Sequence, residues 1–320
     1  MTRITVIGTS LALIVVSGGM FLGCHPTHRD EGKIVIGLVV PSLTHPFFIY
    51  LKNHVVDEAK RLNVEVVAAD AEDTAAKQMS IVEDFIARGV DGVLISPIGA
   101  DALVPAIESL NQARIPVATV DRMVRGGDVL VHVGADNVRG GELAGRYIID
   151  KLGGKGIVIE LEGTPGASPA IDRKKGFDAA IRKTDVHIVA SQAADFQRAK
   201  GQTVMENLLQ VHHEFQAVYA ANDEMMLGAT EAMEAHHIDP ARVVTVGCDA
   251  IPDALNYIKA GRLDATIEQY PGRQASIALR ILVEYLRDGK TPSQREIYIE
   301  PVVIDAHNLD KAEIKGERKP

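Results

Sequence analysis

Two stretches decide the fold: GVLISPIGADALVPAIESLNQARIPVATVDR at 92–122 and AVYAANDEMMLGATEAMEAHHIDPARVVTVGCDA at 217–250. Each reads as a β-rich apolar run, a polar loop, an amphipathic helix, a second β-rich run and then an aspartate, Asp121 or Asp249. A strand, helix, strand order of this length implies a right-handed crossover between parallel neighbours, with helices covering both faces of the sheet. Meeting the order twice, about a hundred residues apart, predicts two lobes of similar architecture.

Working outward, the same alternation fills the chain from Lys33 onward. Ile34–Val40 reads as a buried parallel strand. Pro46 opens a helix in which Phe48, Leu51, Val55, Ala59 and Leu62 make one apolar face. Strands are predicted at 64–68, 93–95 and 117–120, and helices at 75–87 and 102–113. After Asp136 the predicted helices are 143–152, 173–182, 202–210 and 224–235. The strands among them are 157–161, 186–190, 217–219, 243–246 and 265–268. A helix at 273–286 and one strand at 298–304 follow, and the tail from His307 is expected to be loose because it is mostly charged.

Composition narrows the function. The chain has 320 residues, 46% apolar and 24% charged, which is too apolar for disorder and long enough for two cores. Its 34 Lys and Arg against 43 Asp and Glu leave a net charge of -9, so no basic footprint for nucleic acid exists. Two cysteines make no disulfide framework. The apolar run 4–22 follows Arg3 and ends at Gly23-Cys24 before polar residues, a pattern similar to a bacterial lipoprotein signal with Cys24 lipidated. Ordinary secretory cleavage and a retained anchor helix are the alternatives. All three place the bulk of the protein outside the cytoplasm, with 1–24 as signal and 25–32 as linker. Cys248 then stands alone and reads as a buried small hydrophobe.

In an open α/β sheet, ligands bind beyond the carboxyl ends of the strands. The residues found there are His45, Phe47, Phe48, Ser96, Asp121, Arg122, Arg173, Phe196, Asn222, Asp249 and Gln269. Asp, Asn, Gln and Arg make paired hydrogen bonds of the spacing that adjacent sugar hydroxyls present. The three phenylalanines, out of seven in the chain, offer flat faces to a ring. Helix capping explains any one of these positions as well, and Asp223 is read as a cap. The Gly-rich run 153–156 follows a helix and precedes a strand, the wrong order for a phosphate loop. Gly140, Gly141 and Gly145 do not make a dinucleotide fingerprint either. The histidine pairs 212–213 and 236–237 point apart on a helix and read as surface residues, not metal ligands. Nothing resembles a catalytic constellation, and no cofactor is expected.

The segments LVVPSLTHPFF, VATVDR, ASQAADFQRAKG, ANDEMMLGA and VGCDAIPDA resemble the pentose/hexose-binding family of bacterial periplasmic transport receptors, over nearly all of 33–305. The resemblance implies a type I periplasmic binding protein fold, with two doubly wound parallel-sheet lobes joined by a three-strand hinge. It implies crossings near Gly134–Asp136, Gln269–Pro271 and Tyr298–Glu300. One lobe is then 33–134 with 270–298 and the other 135–269 with 299–307, leaving 308–320 as a charged tail. It also implies a monosaccharide, ribose or a related pentose or hexose, enclosed between the lobes and handed to an ABC permease. The ring-stacking aromatics match Phe47, Phe48 and Phe196. The hydrogen-bonding set matches Asp121, Arg122, Arg173, Asn222, Asp249 and Gln269. At His45 and Ser96 the family's ribose binder has Asn, so these two positions bear on which sugar is taken. A sugar sensor signalling to a chemoreceptor or sensor kinase is the alternative reading, and the chain is expected to act as a monomer. A repressor of the same fold would need a basic DNA-binding segment before residue 33, where this chain has a signal.

Overall fold

The computed structural model describes residues 32–314. Two six-stranded sheets carry the fold. The first contains β1 (Val35–Val40), β2 (Glu65–Asp70), β3 (Gly92–Ile95), β4 (Val117–Val120), β5 (Val131–Ala135) and β11 (Glu296–Ile299), in the order β11-β5-β4-β3-β1-β2 and parallel throughout. The second contains β6 (Lys155–Glu162), β7 (Asp185–Ala193), β8 (Ala217–Ala220), β9 (Val244–Val246), β10 (Ala265–Glu268) and β12 (Val302–Asp305), in the order β12-β10-β9-β8-β6-β7. There only the β10–β12 pair is antiparallel. In both sheets the chain starts one strand in from an edge, adds the edge strand, then crosses back. That reversal opens a crevice at the strand carboxyl ends.

The helices are α1 (Pro46–Leu62), α2 (Ala75–Arg88), α3 (Val104–Gln112), α4 (Asn137–Leu152), α5 (Ser168–Ile181), α6 (Arg198–Leu209), α7 (Asp223–Ala235), α8 (Pro252–Lys259) and α9 (Pro271–Asp288). The face expected on α1 is real: Phe47, Phe48, Leu51, Val55 and Ala59 are buried against the first sheet. His45 caps this helix, Pro46 sits at its first position, and Asn63 ends it in the left-handed region. Among the described residues no helix is long and apolar enough to cross a membrane. The lipidation expectation at Cys24 lies outside the described residues.

Three helices begin four or more residues earlier than periodicity predicts, and all three lie on the second sheet. α4 starts at Asn137, capped by the Asp136 carboxylate accepting from Arg139 N–H at 2.9 Å. Its Gly140 and Gly141 weaken the helical signal, but Gly141 serves contact. A Cβ on Gly141 would lie 1.9 Å from the Arg173 carbonyl, and one on Gly176 equally close to that of Val138, so α4 and α5 cross backbone to backbone. α5 starts five residues before the expected position, which moves Arg173 from a loop end onto the helix. α6 likewise starts at Arg198 rather than at residue 202, with Gly201 pressed on Met225 of α7.

β5 and α8 were not expected from the pattern. Three further expectations are corrected. The strand expected at 298–304 is two strands, broken at Pro301, which donates no ladder hydrogen bond. The chain there leaves the first sheet for the second. The helix cap before α7 is Asn222, whose Oδ1 accepts from Met225 N–H, while Asp223 is buried inside the helix start. Finally, residues 307–314 are not loose. Ala312 and Ile314 are buried, and the Glu313 carboxylate accepts from Gly272 and Arg273 N–H at the start of α9. Charge along the tail hid this, since a carboxylate satisfies the open amides of a helix start.

Candidate functional site

The two crevices face one another. Across the gap, Ala100 N–H donates to the Gly166 carbonyl at 2.9 Å and Met123 N–H to Ser168 Oγ at 2.8 Å. Between them lies a narrow cavity of about 20 Å³, far below the roughly 300–1,000 Å³ usual for small-molecule sites, so the two walls stand close together. Ten of the eleven residues singled out from the sequence line it: His45, Phe47, Phe48, Asp121, Arg122, Arg173, Phe196, Asn222, Asp249 and Gln269. Pro169, in the first turn of α5, lines it as well and carried no polar signal in the sequence.

Ser96 is the exception, because it does not line the cavity. It is fully buried behind Asp121 and donates to Asp121 Oδ2 at 3.1 Å. The chain turns inward there because Gln78, itself buried, accepts from Ile98 N–H and donates to the Ser96 carbonyl. Ser96 therefore acts on a ligand only through Asp121.

On the second-sheet side, the side chains form one network. Arg173 reaches down from α5 and donates Nε–H to Asn137 Oδ1 at 2.8 Å. Its Nη1 donates to the Ala221 carbonyl and its Nη2 to Gln269 Oε1, both at 2.6 Å. Gln269 Nε2 donates in turn to Asp249 Oδ1 at 2.6 Å, and Arg173 Nη1 lies 3.7 Å from the same oxygen. Asn137, at the start of α4, is the residue the sequence reading missed. Its only signal was an Asn directly after an Asp cap. Behind Asp249, buried Asp223 accepts from Thr266 Oγ1 at 2.7 Å and from Ile251 N–H at 3.0 Å, holding the turn that carries Asp249.

Several of these residues occupy the left-handed region unfavourable to side chains: Asp121 (φ 64°), Phe196 (φ 63°) and Asp249 (φ 123°). Strain of this kind persists where the surroundings over-determine it, and it clusters at functional sites. At Phe196 the reason is visible. Its ring lies over Gly163, where a Cβ would stand 2.1 Å from the ring.

The first-sheet side is less completely paired. Arg122 lies between the Phe48 and Phe196 rings, 5.4 and 5.3 Å from their centroids. It donates to the Ile98 carbonyl at 3.3 Å, while its buried Nε makes no hydrogen bond and pairs only at 3.8 Å with Asp121 Oδ2. A buried donor without a partner costs about 1–3 kcal/mol, so this one is poised for an acceptor. Phe47 and Phe48 pack edge to face, 5.3 Å apart.

Burial governs the ionisation of the site. It pushes the carboxyls of Asp121 and Asp249 up, against the pull of Arg122 and Arg173 respectively. Burial, helped by Arg122, Arg173 and Arg198, lowers His45 to about 3, so its imidazole is neutral. With both carboxyl groups ionised, two carboxylates and two guanidinium groups balance. The cavity can surround a small neutral ring with hydrogen bonds in its plane and phenyl rings about it.

This fold and this cleft define the class: the chain belongs to the periplasmic binding proteins. The family model described as "Periplasmic binding protein domain" matches residues 36–291. The chain is 46% identical to the ribose import binding protein RbsB of Bacillus subtilis (strain 168), over 82% of this chain and 84% of that protein. It is 40% identical to the Escherichia coli (strain K12) ribose import binding protein, over 85% and 91%. Among solved structures, the Caulobacter myo-inositol binding protein bound to myo-inositol superposes with a TM-score of 0.85 at 32% identity, covering 91% of this chain and 98% of that one. A solute-binding protein of Actinobacillus succinogenes 130z with bound D-allose gives 0.81 at 30% identity, over 87% and 99%.

Proposed function

We propose that the protein captures a neutral monosaccharide, ribose or a closely related pentose or hexose, in the cleft between its two sheets and delivers it to an ABC permease. The observation that carries this is the composition of the cavity wall. Asp121, Arg122, Arg173, Asn222, Asp249 and Gln269 supply donors and acceptors with cancelling charge, flanked by Phe47, Phe48 and Phe196. A sugar fits both demands, since its hydroxyls both donate and accept while its C–H faces are apolar. The relatives named for ribose and the structures holding D-allose and myo-inositol narrow the ligand to a small polyhydroxylated ring.

Binding groups come from both sheets, so only the closed arrangement makes every contact, and ligand shifts the population toward it. The hinge in this reading is the set of three passages between sheets, following β5, β10 and β11. The lobes are 33–134 with 270–298 and 135–269 with 299–307. Cys24 lipidation would keep the receptor at the membrane beside its permease.

A thermal-shift screen over pentoses, hexoses and polyols tests the reading. At 100 times Kd a ligand of the folded form should add about 2.7 kcal/mol of stability. Failure of every monosaccharide to shift the transition would overturn it.

A further inference from the structure

Three passages of chain join the two sheets, and the segment after β12 ties them together at a fourth point. β12 belongs to the second sheet, and the residues after it stay there at first: Leu309 and Ala312 pack with Ala250, Leu255 and Ile304. The next residue, Glu313, turns to the other side. Its carboxylate accepts from Gly272 N–H at 2.7 Å and from Arg273 N–H at 3.1 Å, two of the open amides at the start of α9. Its carbonyl accepts from the Tyr50 hydroxyl of α1 at 3.1 Å. Both helices pack on the first sheet and on each other.

Glu313 N–H remains with the second sheet, donating to Glu268 Oε2 at the end of β10 at 2.7 Å. The other oxygen of this buried carboxylate accepts from Tyr270 N–H at 2.6 Å, in the passage from β10 to α9. One residue is thus bonded to both sides, next to a place where the chain crosses. There is little slack in it, since adjacent Cα atoms are about 3.8 Å apart and Ala312 is already seated on the second side. The receiving end is tight as well. Tyr50 and His54 of α1 stack with ring centroids 4.1 Å apart, and a Cβ on Gly272 would stand 2.6 Å from the His54 ring.

We propose that residues 306–314 are a strap across the hinge, pinned by Glu313, whose bonds belong to the closed arrangement and hold the ligand-free protein toward it. This rests on the hinge read above from the three passages. The arrangement that makes every strap bond is the one in which the walls touch, with Ala100 bonded to Gly166 and Met123 to Ser168. Close to a hinge axis displacement is small but rotation is not, and a hydrogen bond weakens steeply once its angle falls below about 120°. Opening therefore costs strap bonds. A larger share of the binding-competent form raises apparent affinity. None of the strap residues lines the cavity, so the effect falls on every ligand alike.

The test is small-angle X-ray scattering and calorimetry on the full chain, with D-ribose and D-allose as probes. Glu313→Ala removes the carboxylate and keeps the amide that Glu268 holds. Without ligand it should show a larger radius of gyration than the wild type. Saturated with a sugar that binds, it should match the wild type, which also shows that it folds. Its affinity should fall about tenfold for each sugar that binds, with any preference between them unchanged. Tyr50→Phe removes only the bond to the Glu313 carbonyl and should move both readings the same way, by about threefold in affinity. It carries the same test should Glu313→Ala fail to fold. A ligand-free radius equal to that of the wild type, or a shifted preference between the sugars, overturns the proposal. Should neither sugar compact the wild type, the hinge itself falls and this inference with it. Should sugar compact wild type and variant alike from the same open radius, only this inference falls.

Discussion

The two walls of the cleft use similar side chains in different ways. On the second-sheet wall, Arg173 is held by Asn137, the Ala221 carbonyl and Gln269, and Gln269 holds Asp249. On the first-sheet wall, Arg122 has one long bond to the Ile98 carbonyl and an Nε that makes no hydrogen bond but lies 3.8 Å from Asp121 Oδ2, and Asp121 has a bond from Ser96. One wall is preorganised by the protein alone, while the other leaves hydrogen-bonding capacity for the ligand. Preorganisation cuts the ordering cost of binding, so the second wall should set affinity. The first should set selectivity and respond to closure.

That contrast predicts a graded series. Arg173→Lys breaks a planar fork that three acceptors use at once, and Lys does not reproduce it. Each hydrogen bond to a charged group contributes about 1.5–3 kcal/mol, so calorimetry with the sugar that the screen identifies should show a loss of about 100-fold in affinity. The ligand-free melting temperature should fall as well, because Asn137 and Gln269 lose a buried partner. A loss under tenfold would contradict a preorganised second wall.

Arg122→Lys is the paired experiment on the other wall. With fewer protein bonds to lose, it should weaken binding about tenfold and leave the ligand-free melting temperature unchanged. A larger loss than Arg173→Lys gives would invert the comparison.

The walls also differ in how acid acts on them. On the first-sheet side the buried titratable groups include histidines, with burial lowering His132 to about 4 and His45 to about 3. A histidine neutral in the fold but protonated when unfolded stabilises fully above its unfolded value near 6.5. That contribution is lost as pH falls through the folded value. For His132 the lost stabilisation is about 3 kcal/mol by linkage. His132→Gln should reduce the fall in melting stability between pH 6.5 and 4. On the second-sheet side burial raises Asp223 and Glu268 to about 7. The sign reverses there, since a carboxyl protonated in the fold but ionised when unfolded loses stabilisation as pH rises from about 4 to 7. Asp223→Asn should remove part of that opposite slope, and melting curves that are parallel to wild type across this window would refute the assignment.

The smallest effect belongs to Ser96→Ala. It removes one neutral donor to Asp121, about 0.5–1.5 kcal/mol, and should weaken sugar binding about two- to tenfold without moving selectivity among sugars. A change in the preferred sugar would mean that Ser96 meets the ligand directly.

Much of the site was legible in the sequence because position in a doubly wound sheet dictates it. A residue directly after a buried strand must stand at the crevice, so Asp121, Arg122, Asn222, Asp249 and Gln269 were found by counting strands. Arg173 was found by type although its helix begins five residues earlier than expected. Gly141 and Gly176 depress helix propensity at the very contact that needs them. Asn137 and Pro169 stayed hidden, one looking like a helix start and the other carrying no polar group. Ser96 sits at the right strand end, but its short side chain, held behind Asp121, leaves it out of reach of the cavity.

By itself the sequence determined the alternating strands and helices, the two-fold repeat and the list of polar and aromatic groups that end the strands. These follow from periodicity and residue type, which are local. The tertiary structure alone decided which of those groups are already satisfied. Arg122 and Arg173 each follow an aspartate, yet one has an Nε without a hydrogen bond and the other three acceptors. The tertiary structure alone also brought His45 Nε2 to 3.0 Å from Asn222 Nδ2, 177 residues along the chain. Partners so distant in sequence are chosen by helix crossings and by the approach of two sheets, and no local pattern encodes a distance between them.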